Sequence, residues 1–130
     1  MHTISKQFAF SASHRLEGLP DTHPCSRLHG HNYIVELSLT GTLDEVGFIV
    51  DYRELAPFKN YIDEELDHRH LNDRLPGNPT AERMALELAH WASQHLDLPD
   101  NVRGIGIAVS ETPKTWARME LTRDGAGWRR

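Results

Sequence analysis

The chain has one cysteine, Cys25, so no disulfide can close within it. A lone thiol fits a reducing compartment and stays free for chemistry. No apolar run approaches the roughly 18–20 residues that a membrane-spanning helix needs, and the opening segment lacks the charged-then-apolar order of a secretory leader. These two absences set the expectation of a cytoplasmic protein. No block of Lys or Arg stands out, and the formal charge is −5. That argues against a nucleic-acid partner; Arg129 and Arg130 read as a frayed tail. Repeats, low-complexity tracts and long linkers are also missing. With 130 residues and roughly 100–150 per domain, residues 1–130 are expected to form a single domain with one core.

What is abundant is histidine, nine in all. Their placement depends on the elements that carry them. Residues 3–14 alternate, with Phe8, Phe10, Ala12 and His14 on one face and Gln7, Ala9, Ser11 and Ser13 on the other, the mark of a half-buried strand. Gly18, Pro20, Asp21 and Pro24 make 15–28 a loop. A second strand is predicted from His29 to Thr40, with Tyr33, Val35, Leu37 and Leu39 on its apolar face, and Gly41–Gly47 turns the chain. Asp51 reads as a helix N-cap with Glu54 as capping-box partner. Tyr52, Leu55, Phe58, Ile62 and Leu66 recur at helical spacing behind it. Pro57 disturbs that helix, which must start near Ala56 or kink there. A second helix follows Pro79, with Thr80 as N-cap, Glu82 in its first turn and an apolar stripe through Met84, Leu88 and Ala92, ending before Pro99. Strands over Val102–Glu111 and about Trp116–Thr122 complete an α+β domain of order ββααββ: a four-stranded antiparallel sheet with two helices on one face. The other face is small or polar, with Ser11, Ser13, Gly104, Gly106, Ala108 and Ser110.

His29 and His31 lie two apart on a strand, so they point the same way. Both continue the apolar face of Tyr33 and Val35, and His14 continues the apolar face of its own strand. If the two strands pair across the 15–28 loop, the three imidazoles meet at its mouth. Three neutral imidazoles with an open fourth position form the pattern of catalytic zinc, able to polarise a substrate oxygen. Singly, each would more often be a hydrogen-bonded rim residue; His2, His23, His70, His90 and His95 carry no such reading. Cys25 sits four residues before His29. Arg27 and a nearby cation would favour its thiolate, which could ligate metal, attack, or abstract a proton. Asp67 beside His68 suggests a proton relay, or equally a helix C-terminus that keeps a histidine at its negative end. Glu111 shares parity with Ile105, Ile107 and Val109. A carboxylate at that depth needs a partner: either a planar ligand offering two N–H donors, or an arginine such as Arg15 or Arg118.

Phe10-Ser-Ala-Ser-His14, Cys25-Ser-Arg-Leu-His-Gly-His31, Val50-Asp-Tyr52, Leu66-Asp-His-Arg-His-Leu-Asn72, Asn78-Pro-Thr-Ala-Glu82 and Ser110-Glu-Thr112 occur in one order along nearly the whole chain. Together they resemble the 6-pyruvoyl- and 6-carboxy-tetrahydropterin synthase family; Arg83 departs from it, where relatives often carry Asn. The resemblance implies a tunnelling fold in which three subunits close a barrel and two trimers stack as a hexamer, with active sites between subunits. It implies 7,8-dihydroneopterin triphosphate as substrate, His14, His29 and His31 as zinc ligands, and Cys25 as proton acceptor. It further implies Asp67 and His68 as the relay, and Glu111 and Thr80 as substrate-binding residues, Glu111 gripping the pterin ring. The short spacing from Cys25 to His29 resembles the bacterial 6-carboxy branch. That branch is a carbon–carbon lyase releasing acetaldehyde and triphosphate on the way to queuosine and related deazapurines. The 6-pyruvoyl branch, which only eliminates triphosphate, is the alternative. So is a zinc-binding protein of this fold that has lost catalysis, although such a protein needs none of Cys25, Asp67, His68 and Glu111. A thiol hydrolase built on Cys25 and His68 would leave three histidines on buried faces without a role.

Overall fold

In a computed structural model describing residues 1–125 and 127–130, the chain forms one antiparallel sheet with helices against one face. Strands β1 (His2–His14), β2 (His29–Gly41), β3 (Val102–Thr112), β4 (Thr115–Asp124) and β5 (Gly127–Arg129) lie in that order across it. The expected α+β class and the first four strands are present to within two residues at each end.

The sheet has five strands, not four. Gly127–Arg129 folds back on β4, pairing Thr122 with Arg129 and Arg123 with Trp128. Arg129 is therefore no frayed tail: it sits in β5 and meets Asp124 at 2.8 Å. Three residues are too few to show an alternating pattern, so this strand has no sequence signature of its own. Its anchor is Arg123, whose guanidinium lies 4.5 Å from the Trp128 ring and donates to the carbonyls of Leu98 and Pro99.

The expected first helix is a composite. Asp51 caps its start by accepting from Arg53 N–H at 2.9 Å, but Arg53 rather than Glu54 answers the Asp51 carboxylate. A 3-10 turn, Tyr52–Leu55, leads into α1 (Ala56–Tyr61), and the chain then widens into a π-turn, Ile62–Leu66. Pro57 falls in the first turn of α1, where a missing N–H costs nothing. Leu55, Phe58, Ile62 and Leu66 are all buried as the spacing predicts, while Tyr52 stays exposed. Helix α2 (Ala81–His95) is capped by Thr80, whose hydroxyl accepts from Arg83 N–H at 3.1 Å. Its stripe of Met84, Ala85, Leu88, Ala89 and Ala92 packs over β3 and β4.

The core lies between the helices and the apolar row of the sheet: Phe8, Phe10, Tyr33, Val35, Leu37, Leu39, Ile105, Ile107 and Val109. Each large side chain buried there contributes about 1.5–3 kcal/mol. His14 is the one histidine drawn fully into this layer, 1% exposed. No helix among the described residues is long and apolar enough to cross a membrane.

Candidate metal centre and its surroundings

The register of β1 and β2 sets His14 directly opposite His29, and Ala12 opposite His31. Because side chains alternate, all three imidazoles emerge on the apolar face at the loop end of the sheet. Their ring centroids lie 4.5–4.9 Å apart. One nitrogen from each falls within 4.8 Å of the others.

The outer nitrogens decide which inner ones are free. His14 Nδ1 lies 2.8 Å from the Pro79 carbonyl, and His29 Nδ1 lies 2.7 Å from the Arg27 carbonyl. A carbonyl only accepts, so each Nδ1 carries a proton, and in the neutral ring each Nε2 then presents a lone pair. Those two Nε2 atoms face one another at 2.9 Å. Two lone pairs at that distance repel unless a cation or proton stands near both. His31 Nε2 is buried beside them with no hydrogen-bond partner. Burial is the main cause holding the His31 pKa below its usual value; Glu111 opposes the shift, and His14 and His29 add to it. Neutral imidazoles with orphaned nitrogens are what a metal ion requires, and backbone carbonyls behind them are the usual means of orienting such ligands. The residues therefore fit a metal ion.

Tyr33, 1% exposed, closes the floor of this cup. Its ring stacks on Phe10 at 4.9 Å and its hydroxyl lies 3.3 Å from His14 Nδ1. Burial, with Glu111 second, pushes its pKa up, so the phenol stays neutral.

Glu111, next to last in β3, has Oε2 3.7 Å from His31 Nε2. Neither Arg15 nor Arg118 meets it. It lines a cleft of about 110 Å3 with Ala81 and Glu82 of α2 and Trp116 of β4. Thr80 precedes Ala81 in the chain and does not line that cleft; its hydroxyl is engaged in the helix cap.

Cys25 occupies a single 3-10 turn, Pro24–Ser26, and is half-buried. It is not among the three donors that converge. His23 Nδ1 accepts from Cys25 N–H at 3.1 Å, and Leu16 N–H donates to the Cys25 carbonyl at 2.9 Å. The turn is thus tied to the chain two residues beyond His14.

Asp67 and His68 leave the π-turn and run along the free edge of β1. Ser11 N–H donates to Asp67 Oδ1 at 2.9 Å, His68 N–H to the Ser11 carbonyl at 2.6 Å, and Ser13 N–H to the Arg69 carbonyl at 3.1 Å. Asp67 Oδ1 lies 3.0 Å from His68 Nδ1. The Ser11 bond is the main cause holding Asp67 below the usual carboxylate range, with His68 adding to it. His68 is the one non-glycine residue with positive φ among those described, at 59°. Such a conformation costs about 1–3 kcal/mol and persists where the surroundings impose it. The His68 side chain is 83% exposed and borders a groove of about 480 Å3 with His31, His70, Ser13 and Asn32. His70, which has no special signal in the sequence, joins this groove through its Ser13 hydroxyl contact at 3.1 Å.

The sequence pattern of the 6-pyruvoyl tetrahydropterin synthase family matches residues 3–122. The chain belongs to this family. Among similar proteins, a 6-carboxy-5,6,7,8-tetrahydropterin synthase from Rickettsia bellii is 29% identical, over 92% of this chain and all of its own length. A dihydroneopterin monophosphate aldolase from Pyrococcus furiosus is 31% identical over 73% of this chain and 76% of its own. The structure of 6-pyruvoyl tetrahydropterin synthase from Caenorhabditis elegans superposes with a TM-score of 0.76 at 26% identity, covering 91% of this chain and 94% of that one. The family's tunnelling fold is thus the frame that holds the three histidines.

Two further residues went unassigned by the sequence reading, although both lie inside the quoted motifs. Asn72 and Asn78 each grip the backbone just beyond His14. An asparagine side chain offers no periodicity from which that role could be read.

Proposed function

We propose that this tetrahydropterin synthase family member is a cytoplasmic, zinc-dependent lyase. It converts 7,8-dihydroneopterin triphosphate to 6-carboxy-5,6,7,8-tetrahydropterin, releasing acetaldehyde and triphosphate, a step toward queuosine and related deazapurines. The observation that carries the reading is the convergence of three imidazoles, two of them oriented by backbone carbonyls, beside a short loop that bears the only thiol. The similarity to the Rickettsia bellii 6-carboxy-5,6,7,8-tetrahydropterin synthase supports the choice of branch.

His14, His29 and His31 hold the metal. Zinc bound there supplies a Lewis acid that lowers the pKa of side-chain hydroxyls on the substrate. Cys25, outside the donor set, serves as the base that takes a carbon-bound proton while triphosphate departs. The Asp67–His68 pair relays that proton. Its exposed imidazole on a fixed backbone suits a partner on a neighbouring subunit, in a hexamer of two stacked trimers. Glu111 accepts two N–H bonds from the guanidine-like edge of the pterin and, with Thr80 at the start of α2, fixes the ring so that the side chain meets the thiolate. Two of the three side-chain carbons then leave as acetaldehyde, and one water supplies the second oxygen of the remaining carboxyl.

The test is product analysis. Incubation with dihydroneopterin triphosphate should release triphosphate and acetaldehyde in equal amounts, the latter read by a coupled alcohol dehydrogenase. Triphosphate without acetaldehyde makes the chain a 6-pyruvoyl enzyme. Neither product from zinc-loaded protein makes it a non-catalytic zinc binder.

A further inference from the structure

We infer that Asn72 and Asn78 are positioning residues for Cys25, acting as two side-chain clamps that continue β1 past His14 and tie the thiol's turn to the segment carrying Asp67 and His68. The inference rests on the reading of Cys25 as the base.

Past His14 the chain has no further β2 partner, since the register of β1 with β2 ends at His14 and His29. Its backbone groups nonetheless find partners on the same side at every second residue. Asn72 Oδ1 accepts from Arg15 N–H at 2.9 Å, and Asn72 Nδ2 donates to the Arg15 carbonyl at 2.8 Å. Two residues on, Asn78 repeats the arrangement with Glu17, at 2.8 Å to its N–H and 2.7 Å to its carbonyl. A primary amide offers one acceptor and one donor in a plane. It therefore stands in for the N–H and C=O of a missing strand neighbour.

Leu16 lies between the two clamped residues, and in an extended chain its N–H points the other way. It donates to the Cys25 carbonyl. Arg15 adds a second tie on that side, its Nε donating to the Ser26 carbonyl at 3.0 Å. Residues 15–17 thus form a short bar, with the clamps on one edge and the Cys25 turn on the other. Asn72 lies four residues beyond His68 in a segment whose backbone is already bonded to Ser11 and Ser13. Asn78 precedes Pro79, whose carbonyl orients His14. One bar therefore couples relay, metal ligand and thiol.

A loop of 14 residues between His14 and His29 would otherwise leave the thiol free to wander. A misplacement of about 1 Å can cost about 100-fold in rate.

The test uses Asn72→Asp and Asn78→Asp in the zinc-loaded protein. Each carboxylate keeps the acceptor and replaces the donor with a repulsive oxygen against the carbonyl. We expect kcat to fall about 10- to 100-fold, with KM and bound zinc unchanged. Cys25 is the only thiol, so iodoacetamide alkylation reports on it alone, and its rate and pH profile should change several-fold. Asn101→Asp serves as the comparison. Asn101 holds the Thr42 and Ile49 carbonyls at the far end of the sheet, and its variant should lose thermal stability while keeping kcat and the alkylation profile. Should the clamp variants behave like Asn101→Asp, or lose zinc, the positioning role is overturned. If Asn72→Asp does not fold, Asn78→Asp decides. Alkylation needs no substrate, so it decides even if the parent proves inactive on dihydroneopterin triphosphate.

Discussion

The two ends of the sheet are built with the same tool and to opposite effect. At each, polar side chains reach out to backbone groups of an irregular segment. At the end formed by 41–50, 98–103, 121–125 and 127–129, Asn101 takes the Thr42 and Ile49 carbonyls and Arg123 those of Leu98 and Pro99. These bonds close the chain on itself. At the end formed by 11–17, 23–31 and 67–80, the bonds instead orient side chains that can carry chemistry. Two Nε2 lone pairs face each other, His31 Nε2 is buried without a partner, and His68 is held at positive φ. The first end lowers the energy of the native chain. The second brings together nitrogen atoms that fit a metal ion.

The comparison can be broken at the chemical end first. Cys25→Ala should lower turnover by about 100- to 10,000-fold, the usual worth of a positioned base, and should leave bound metal and melting temperature unchanged. Steady-state kinetics with elemental analysis reads both. Retained activity, or zinc lost with the thiol, removes Cys25 from the role given to it.

His31→Ala should weaken metal binding by more than about 100-fold, since even the groups behind a ligand are worth about 10- to 100-fold. Competition against a chelator measures it. A variant that keeps full metal occupancy breaks the assignment of His31.

At the other end the effect should fall on stability alone. A Cβ at Gly41 would stand 2.0 Å from the Asn101 carbonyl oxygen. Backbone has to move, so Gly41→Ala should cost about 3 kcal/mol, in the range of overpacked sites, read by chemical denaturation. Metal affinity of the fraction that folds should match the parent. Any loss of affinity there would show that the two ends are coupled through β2.

This contrast also explains what could be read in advance. Alternation in β1, β2 and β3 is legible because one face is buried, and the same parity carries His14, His29, His31 and Glu111 to one end. Motif order then linked Cys25, Asp67 and His68 to that end. What stayed hidden depends on contacts rather than on periodicity. The helix after Asp51 splits into three kinds of turn around Pro57 and residue 62. Strand β5 is short and borrows its stability from Arg123. The carbonyls of Arg27 and Pro79 and the amides of Asn72 and Asn78 act through atoms whose direction only the folded chain sets.

The smallest effect concerns Asp67, on the boundary between holding and reacting. Its carboxyl lies below the usual range, first because Ser11 N–H donates to it and then because His68 does. A carboxyl depressed in the folded chain stabilises that chain most above its unfolded value of about 4. The contribution fades as the pH falls through the folded value, where the native group too takes up a proton. Asp67→Asn cannot titrate, yet it keeps an oxygen for Ser11 N–H. In metal-free protein the gap in denaturation midpoint between parent and Asp67→Asn should therefore be widest at neutral pH. It should narrow on acidification through and below the ordinary carboxyl range. Asp67 is partly exposed, which keeps the effect small. A gap that holds constant from neutral to acid pH would mean that the Ser11 bond draws nothing from the charge, and that the pair is held ready by geometry alone.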